Sequence, residues 1–355
     1  MTDRPDPIQA ATLSRAMVLV WGPRNKGPRS AALARELGIA DARFITAGSG
    51  KGLRSAVGRY PRQLASTVRA LFDARPRGVL VQHPPSPVVW VVALYAALTG
   101  ARYVIDAHSD AFQRGRWLRP LWLSRLLARR AQAVLVTDPH WARTVGRWGG
   151  VAIVNPDVPT AFETDESYPV GEGFSIAVVN TWATDEPIAA IVAAAHDLPG
   201  VTFHVTGRAD ARVTALGPLP PNVRFTDFLP EPAYYALLAS ASAVMCLTTR
   251  DHTMQRGACE ALSLGRPIVT SDWPLLRDYF SQGTVHVDAS SDGIREGVVR
   301  LRADYDRHLA AVLDLREVRR REWEDRRATL VYLLGGSSTQ HSSDPAIAGS
   351  TGGSS

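Results

Sequence analysis

A chain of 355 residues exceeds the usual size of one compact core, so two domains of about 150 residues each are expected. With 45% hydrophobic and 21% charged residues the composition is that of a globular protein. The two cysteines, Cys246 and Cys259, lack partners at disulfide-framework or metal-ligand spacing and read as reduced, buried thiols. No basic segment followed by an apolar one marks a signal peptide, and the longest apolar run, 88–98, is too short to span a bilayer. A cytoplasmic location is therefore expected. The formal net charge of +6 is uneven: residues 1–150 carry 23 Arg and Lys against 8 Asp and Glu, leaving the remainder at −9. The first half thus seeks an anionic partner. No nucleic-acid motif accompanies the charge, and nucleic acid is not expected as a partner.

In chain order, the run 16–21 ends at Gly22 and precedes a helical pattern over 30–37, a strand, a glycine turn and a helix. Further strands are predicted at 78–82, 103–106 and 133–137, with helical patterns between them, which implies a parallel sheet covered on both faces. Residues 114–130 combine Trp117, Trp122 and several leucines with arginines at helical spacing, Leu123, Leu126 and Leu127 being assigned to one face. That is the pattern of an interfacial helix on an anionic membrane, or of an ordinary amphipathic helix of the sheet unit. A linker rich in Pro, Asp, Glu and Gly follows at 156–173. The alternation then restarts, with strands at 175–180, 201–206, 223–227, 243–247 and 267–271 and helices at 187–196, 232–241 and 257–264. Residues 301–334 read as charged helices and 335–355 as a disordered Ser/Gly-rich tail. Two doubly wound domains, 1–155 and 174–300, would face each other, with ligands outside the carboxyl ends of the strands.

The segment 245–274 is the most informative. A strand leads through a polar loop, His252-Thr253-Met254, into a helix opening at Gln255-Arg256. Free amides and the positive dipole end there suit a phosphate, and Arg256 can reinforce them. Glu260, one turn on, can accept from a vicinal diol such as a ribose. The continuation A-L-S-L-G-R-P-I-V after Glu260 resembles the group 1 glycosyltransferases, in which E-x7-E precedes such a turn and strand. The resemblance implies a GT-B fold of two Rossmann-like domains and a nucleotide-sugar bound by the C-terminal one. The position of the family's first glutamate, close to the donor sugar, is held by His252, a departure from the pattern.

The chain also resembles the chitobiosyldiphosphodolichol β-mannosyltransferase family in four ordered segments: Gln82-His83-Pro84-Pro85, Ile105-Asp106-Ala107-His108, Thr181-Trp182-Ala183-Thr184-Asp185-Glu186 and Thr206-Gly207-Arg208. It implies GDP-mannose or a UDP-sugar as donor and a polyprenyl-diphosphate-linked or free glycan as acceptor, handled beside the inner face of a membrane. From the residues themselves, Asp106 or His108, at the end of an apolar strand, can deprotonate an acceptor hydroxyl, or else Asp106 caps the next helix and His108 packs beneath it. Gly207 and Arg208 follow another strand, where the guanidinium can neutralise a diphosphate. Gly22 and Lys26 lie in a glycine-containing loop too loose for a dinucleotide fingerprint and are assigned to the acceptor side. The one D-x-D, Asp304-Tyr305-Asp306, lies in a charged helical stretch, so neither metal nor cofactor is expected. A nucleotide-sugar epimerase of the same architecture and a catalytically silent binding subunit are the alternatives.

Overall fold

The computed structural model describes residues 13–23, 28–46, 53–159, 162, 166–208 and 211–335. Two six-stranded, wholly parallel sheets form its frame. The first comprises β1 (Ala16–Trp21), β2 (Asp41–Ile45), β3 (Gly78–His83), β4 (Arg102–Ala107), β5 (Ala133–Val136) and β6 (Ala152–Val154), in the order β2-β1-β3-β4-β5-β6. The second comprises β7 (Phe174–Val178), β8 (Val201–Val205), β9 (Val223–Phe225), β10 (Ala243–Cys246), β11 (Ile268–Ser271) and β12 (Thr284–Val287), in the order β12-β11-β10-β7-β8-β9. Strands β1 and β3 are continuous apolar runs because helices cover both faces. Sequence periodicity finds nine of these strands and misses β2, β6 and β12. All three are edges, short or interrupted by Asp, Arg, Thr or His, and so lack an uninterrupted apolar run.

Each sheet reverses its winding direction once, between β1 and β3 in the first and between β7 and β10 in the second. Such switch points open a crevice at the carboxyl ends of the strands. Side chains following β4 and β5 meet the loop following β10, so the two carboxyl edges face each other: Gln113 Nε2 donates to Asp251 O (3.3 Å) and Thr253 Oγ (3.0 Å), and Trp141 Nε1 to His252 O (3.4 Å).

The Tyr305–Leu333 helix belongs to both units. Val312 and Leu315 pack with Leu262 and Phe280 of the second domain, whereas Trp323, Leu330 and Val331 join Leu13, Leu33, Leu80 and Leu135 in the core beneath the first sheet. Both ends of this docking require glycine. A Cβ on Gly283 would lie 2.4 Å from Val312 N, and one on Gly78 2.1 Å from Leu334 O. The charged character of this helix in the sequence hides its function as a cross-domain staple, because its apolar residues are split between two cores. The tail from 336 onward lies outside the described residues.

Within 114–130, the Leu121–Arg130 helix departs from the single apolar face expected of it. Leu127 is buried and Leu123 packs on the core, while Leu126 and Trp122 (67% exposed) face solvent. The helix shares its apolar residues between core and surface.

Truncating the staple should uncouple the domains. Trp323→Ala is expected to cost about 3–5 kcal/mol, the range for an aromatic removed from a packed core. Urea unfolding followed by far-UV circular dichroism should show a lower midpoint. An unchanged midpoint would mean that the helix adds nothing to the first domain.

Candidate active site

On the first domain the site is built at the carboxyl end of β4. Asp106 is 1% exposed and His108, one residue beyond the strand, is partly exposed. His108 Nε2 lies 3.3 Å from Asp106 Oδ2, and Arg29 Nε donates to Asp106 Oδ1 (3.2 Å). Burial alone would raise the Asp106 carboxyl, but Arg29 and then His108 outweigh it and hold the group well below its ordinary range. Asp106 is therefore held as an anion facing His108, and the assignment of the pair to the acceptor proton stays an expectation. With Nε2 turned to the carboxylate, Nδ1 is the nitrogen left to accept a proton. His83, at the end of β3, accepts the His108 amide at its carbonyl (2.8 Å). Its own ring is buried beside Ser86 Oγ and the Trp117 carbonyl, and burial lowers it to about 4.

Gly22 stands at the end of β1, its amide donating to Ile45 O (3.1 Å), and Lys26 lies outside the described residues. Their assignment to the acceptor side stays an expectation.

On the second domain the loops after β7 and β10 bracket the switch point. The 181–186 loop is folded round Glu186, whose carboxylate accepts from Thr181 N (2.9 Å), Thr181 Oγ (2.8 Å) and Ala183 N (2.8 Å). Asp185 ties this loop to the one after β10, accepting from Thr248 Oγ (2.7 Å) and pairing with Arg250 (3.4 Å). Gly207, with φ +94°, passes so close to Asn180 that a Cβ would meet its carbonyl at 2.6 Å. Its place is thus to let the β8 loop cross the β7 loop. Arg208, next to it, is exposed and has no ion-pair partner among the described residues.

The Arg256–Ser263 helix begins after Gln255, which supplies no side-chain cap. Its start is less open than the sequence suggests. The amides of Gly257 and Ala258 are directed at the buried Cys246 sulfur, whose thiol burial pushes up to about 12, and that thiol also donates to Gln255 Oε1 (3.1 Å). Ahead of them, the amides of Gln255 and Arg256 meet no acceptor among the described residues. Glu260 is buried and accepts from Tyr234 Oη (2.6 Å) and Arg256 Nε (2.7 Å). Burial raises its carboxyl, against the pull of Arg256. Arg256 keeps one buried nitrogen, Nη1, without a partner.

The remaining candidates lie in the loop between β10 and the Arg256–Ser263 helix. Met254 packs on the second core. Thr253 is held by Gln113 of the facing domain. His252 crosses the cleft: its Nδ1 lies 2.8 Å from Asp138 Oδ2, and its ring stacks on His140 at 4.0 Å between centroids. Both its ring and its carbonyl are thus engaged by the first domain, and its assignment to the donor sugar stays an expectation.

Sequence reasoning missed Arg29, Asp138, His140 and Tyr234. Asp138 and His140 do carry a signal, following an apolar strand directly as Asp106 and His108 do. Arg29 and Tyr234 sit on helices and resemble ordinary helix residues.

With this geometry in hand, comparison with known proteins is informative. Residues 9–157 match the family model described as a glycosyl transferase 4-like domain, and residues 186–330 match one described as glycosyl transferase-like. No curated protein matches the chain. Among solved structures, HepE of Anabaena in complex with UDP and glucose is similar over 91% of this chain and 98% of its own, at 15% identity and a TM-score of 0.63. The same protein with UDP-glucose gives 0.62 at 15% identity over 90% and 97%. UDP-GlcNAc 2-epimerase of Neisseria meningitidis bound to UDP-GlcNAc gives 0.58 at 13% identity over 90% and 99%. At such identities the likeness is one of fold.

The depressed His83 ring makes stability pH-dependent. The unfolded imidazole, near 6.5, takes up protons that the folded one refuses until about 4. Stability from this group is complete above pH 6.5 and is lost as pH falls towards 4, by up to on the order of 3 kcal/mol. Urea unfolding of the protein and of His83→Gln across this window should show a shallower acid loss in the variant. Parallel losses would place the effect on other groups.

Proposed function

From a chain made of two glycosyltransferase-type domains in the GT-B arrangement, we propose an enzyme that moves a hexosyl group from a nucleotide diphosphate sugar to an acceptor hydroxyl. The observation that carries the reading is the juxtaposition across one cleft. On one side His108 is oriented by a buried carboxylate, and on the other the uncapped start of the Arg256–Ser263 helix stands beside Glu260 at a topological switch point. Glu260 would take the ribose hydroxyls. The leaving diphosphate would be met by Arg208, the Gln255 and Arg256 amides and Arg256 Nη1.

In the transfer, the acceptor oxygen bonds to the anomeric carbon as the carbon–oxygen bond to the diphosphate breaks. The electron pair leaves with the nucleotide, and the acceptor proton passes to His108 Nδ1. Asp106 stabilises the imidazolium so formed, a positioning role sustained by Arg29. Leaving-group charge is met here by fixed cations and amides, so we propose that transfer is metal-independent. HepE was solved with UDP and UDP-glucose, which makes UDP the first nucleotide to test, ahead of GDP. The resemblance to the lipid-linked mannosyltransferases supports a polyprenyl-diphosphate glycan as acceptor. Exposed Trp122 and Leu126 beside Arg125 would bring the first domain to an anionic inner membrane face.

Among the similar structures are UDP-GlcNAc 2-epimerases, so the decisive assay compares donor consumption with and without acceptor. Consumption that needs no acceptor and yields an isomeric nucleotide-sugar would replace this reading by the epimerase one. None in either case would leave a binding subunit.

Two variants test the roles. Glu260→Gln should weaken nucleoside diphosphate binding about 10- to 100-fold by calorimetry, as expected for losing a charge-assisted hydrogen bond to a sugar hydroxyl; undiminished affinity removes Glu260 from the site. His108→Ala should lower kcat about 10²-fold while donor affinity holds. Full activity in that variant would rule out His108 as the base.

A further inference from the structure

A cavity of about 610 Å³ lies at the opposite end of the first sheet from the cleft. Arg15 directly precedes β1, Arg77 precedes β3 and Arg102 opens β4, and in a parallel sheet these are one edge, the amino-terminal one. Together with Arg75 they place four guanidinium groups around one space, and among the described residues no Asp or Glu lines it. Asp73, two residues before Arg75 in the sequence, pairs with Arg69 (3.4 Å). Two of the four are braced through one nitrogen each on backbone carbonyls, Arg15 Nη2 on Arg75 O (3.3 Å) and Arg102 Nη1 on Tyr332 O (3.2 Å). Arg75 and Arg77 have no ion-pair partner among the described residues.

Four like charges around one cavity repel each other unless an anion joins them. Arg75 is held besides at φ +47°, in the left-handed region where glycine or asparagine would be relaxed. The wall between the arginines is aromatic and fixed. Phe72 meets Tyr95 edge-on at 5.5 Å, and Tyr95 Oη donates to the Pro76 carbonyl (3.1 Å). A braced, concave, purely cationic rim with planar five-donor groups matches the oxygens of a phosphate.

We propose that this cavity is a second binding site, separate from the donor cleft, for a phosphomonoester or diphosphate group. The ligand is either a soluble phosphate compound or an anionic lipid headgroup, for which the neighbouring exposed Phe72, Leu94 and Leu98 would provide apolar contact.

The test uses the full chain, the double variant Arg75→Glu/Arg77→Glu and, as a control for the cleft, Arg208→Ala. Both reversed arginines are exposed and outside the candidate active site, so donor turnover with a soluble acceptor should stay unchanged and certify the fold. Inorganic pyrophosphate is titrated by calorimetry, and flotation is measured with phosphatidylcholine vesicles with and without phosphatidic acid. Loss of pyrophosphate affinity by about tenfold or more in the double variant, with binding retained in Arg208→Ala, supports the site with a soluble ligand. Flotation that needs phosphatidic acid and disappears in the double variant supports it with a lipid headgroup. The proposal fails if the native chain binds neither probe, or if the double variant binds both as the native chain does.

Discussion

Arg29 is the point on which the two halves of the site depend. Its guanidinium is nearly buried and donates to Asp106 Oδ1, to Asn155 O (2.7 Å) and to Pro156 O (2.8 Å), and it lies 3.8 Å from Asp157. One side chain therefore grips the end of β4, which sets His108, and the segment where the chain leaves the first domain. Asp157 in turn hydrogen-bonds the Cys259 thiol and adds to the field on Arg256, inside the helix that carries Glu260. A cation so buried is tolerable because each of its three nitrogens has an acceptor, and removing it would strip the buried Asp106 carboxylate of its cationic partner, a change of about 3–5 kcal/mol.

The chain closes this arrangement a second time from its far end. The Tyr305–Leu333 helix first packs against the underside of the donor helix, through Val312 and Leu315, and then fills the core under β1, β3, β4 and β5. The donor helix is thus held at its amino end by Asp157 and on its outer face by the staple. Both restraints begin in segments that sequence reading would dismiss, a Pro- and Asp-rich linker and a highly charged helix. Their apolar and ionic contacts are not periodic within either domain, because each segment serves two domains.

This explains what was legible in the residues. Alternating apolar runs revealed two doubly wound sheets, since buried parallel strands advertise themselves. The carboxyl ends of those runs pointed to Asp106, His108, Gly207 and Arg208, because the topology makes such ends the walls of the cleft, whereas Glu260 was read from the helix that follows β10. What a strand-end rule cannot supply is the protonation and pairing of each group. Asp106 and His108 look alike in the sequence. Only the approach of Arg29, 77 residues earlier in the chain, holds Asp106 as an anion facing the His108 ring. Cys246 likewise reads as plain core, yet its sulfur takes two of the helix-start amides that the sequence assigns to a phosphate.

The departure at His252 is best understood together with Asp138. Asp138 caps the Pro139–Arg147 helix, its Oδ1 accepting the His140 amide (2.6 Å), and presents its other oxygen to His252 Nδ1 (2.8 Å). His252 stands at φ +55° and is stacked on His140, while its carbonyl accepts from Trp141. A glutamate in its place would direct a second carboxylate at Asp138 across the cleft, a like-charge contact that would favour separation of the domains. A histidine turns the same contact into an attractive one, and most strongly when it carries a proton. Burial and then the neighbouring His252 lower His140, and Asp251 Oδ2 lies 3.7 Å from His252 Nε2. The substitution at the glutamate position and the Asp138–His140 pair after β5 are therefore one feature. Together they tie the carboxyl edges of the two sheets to each other.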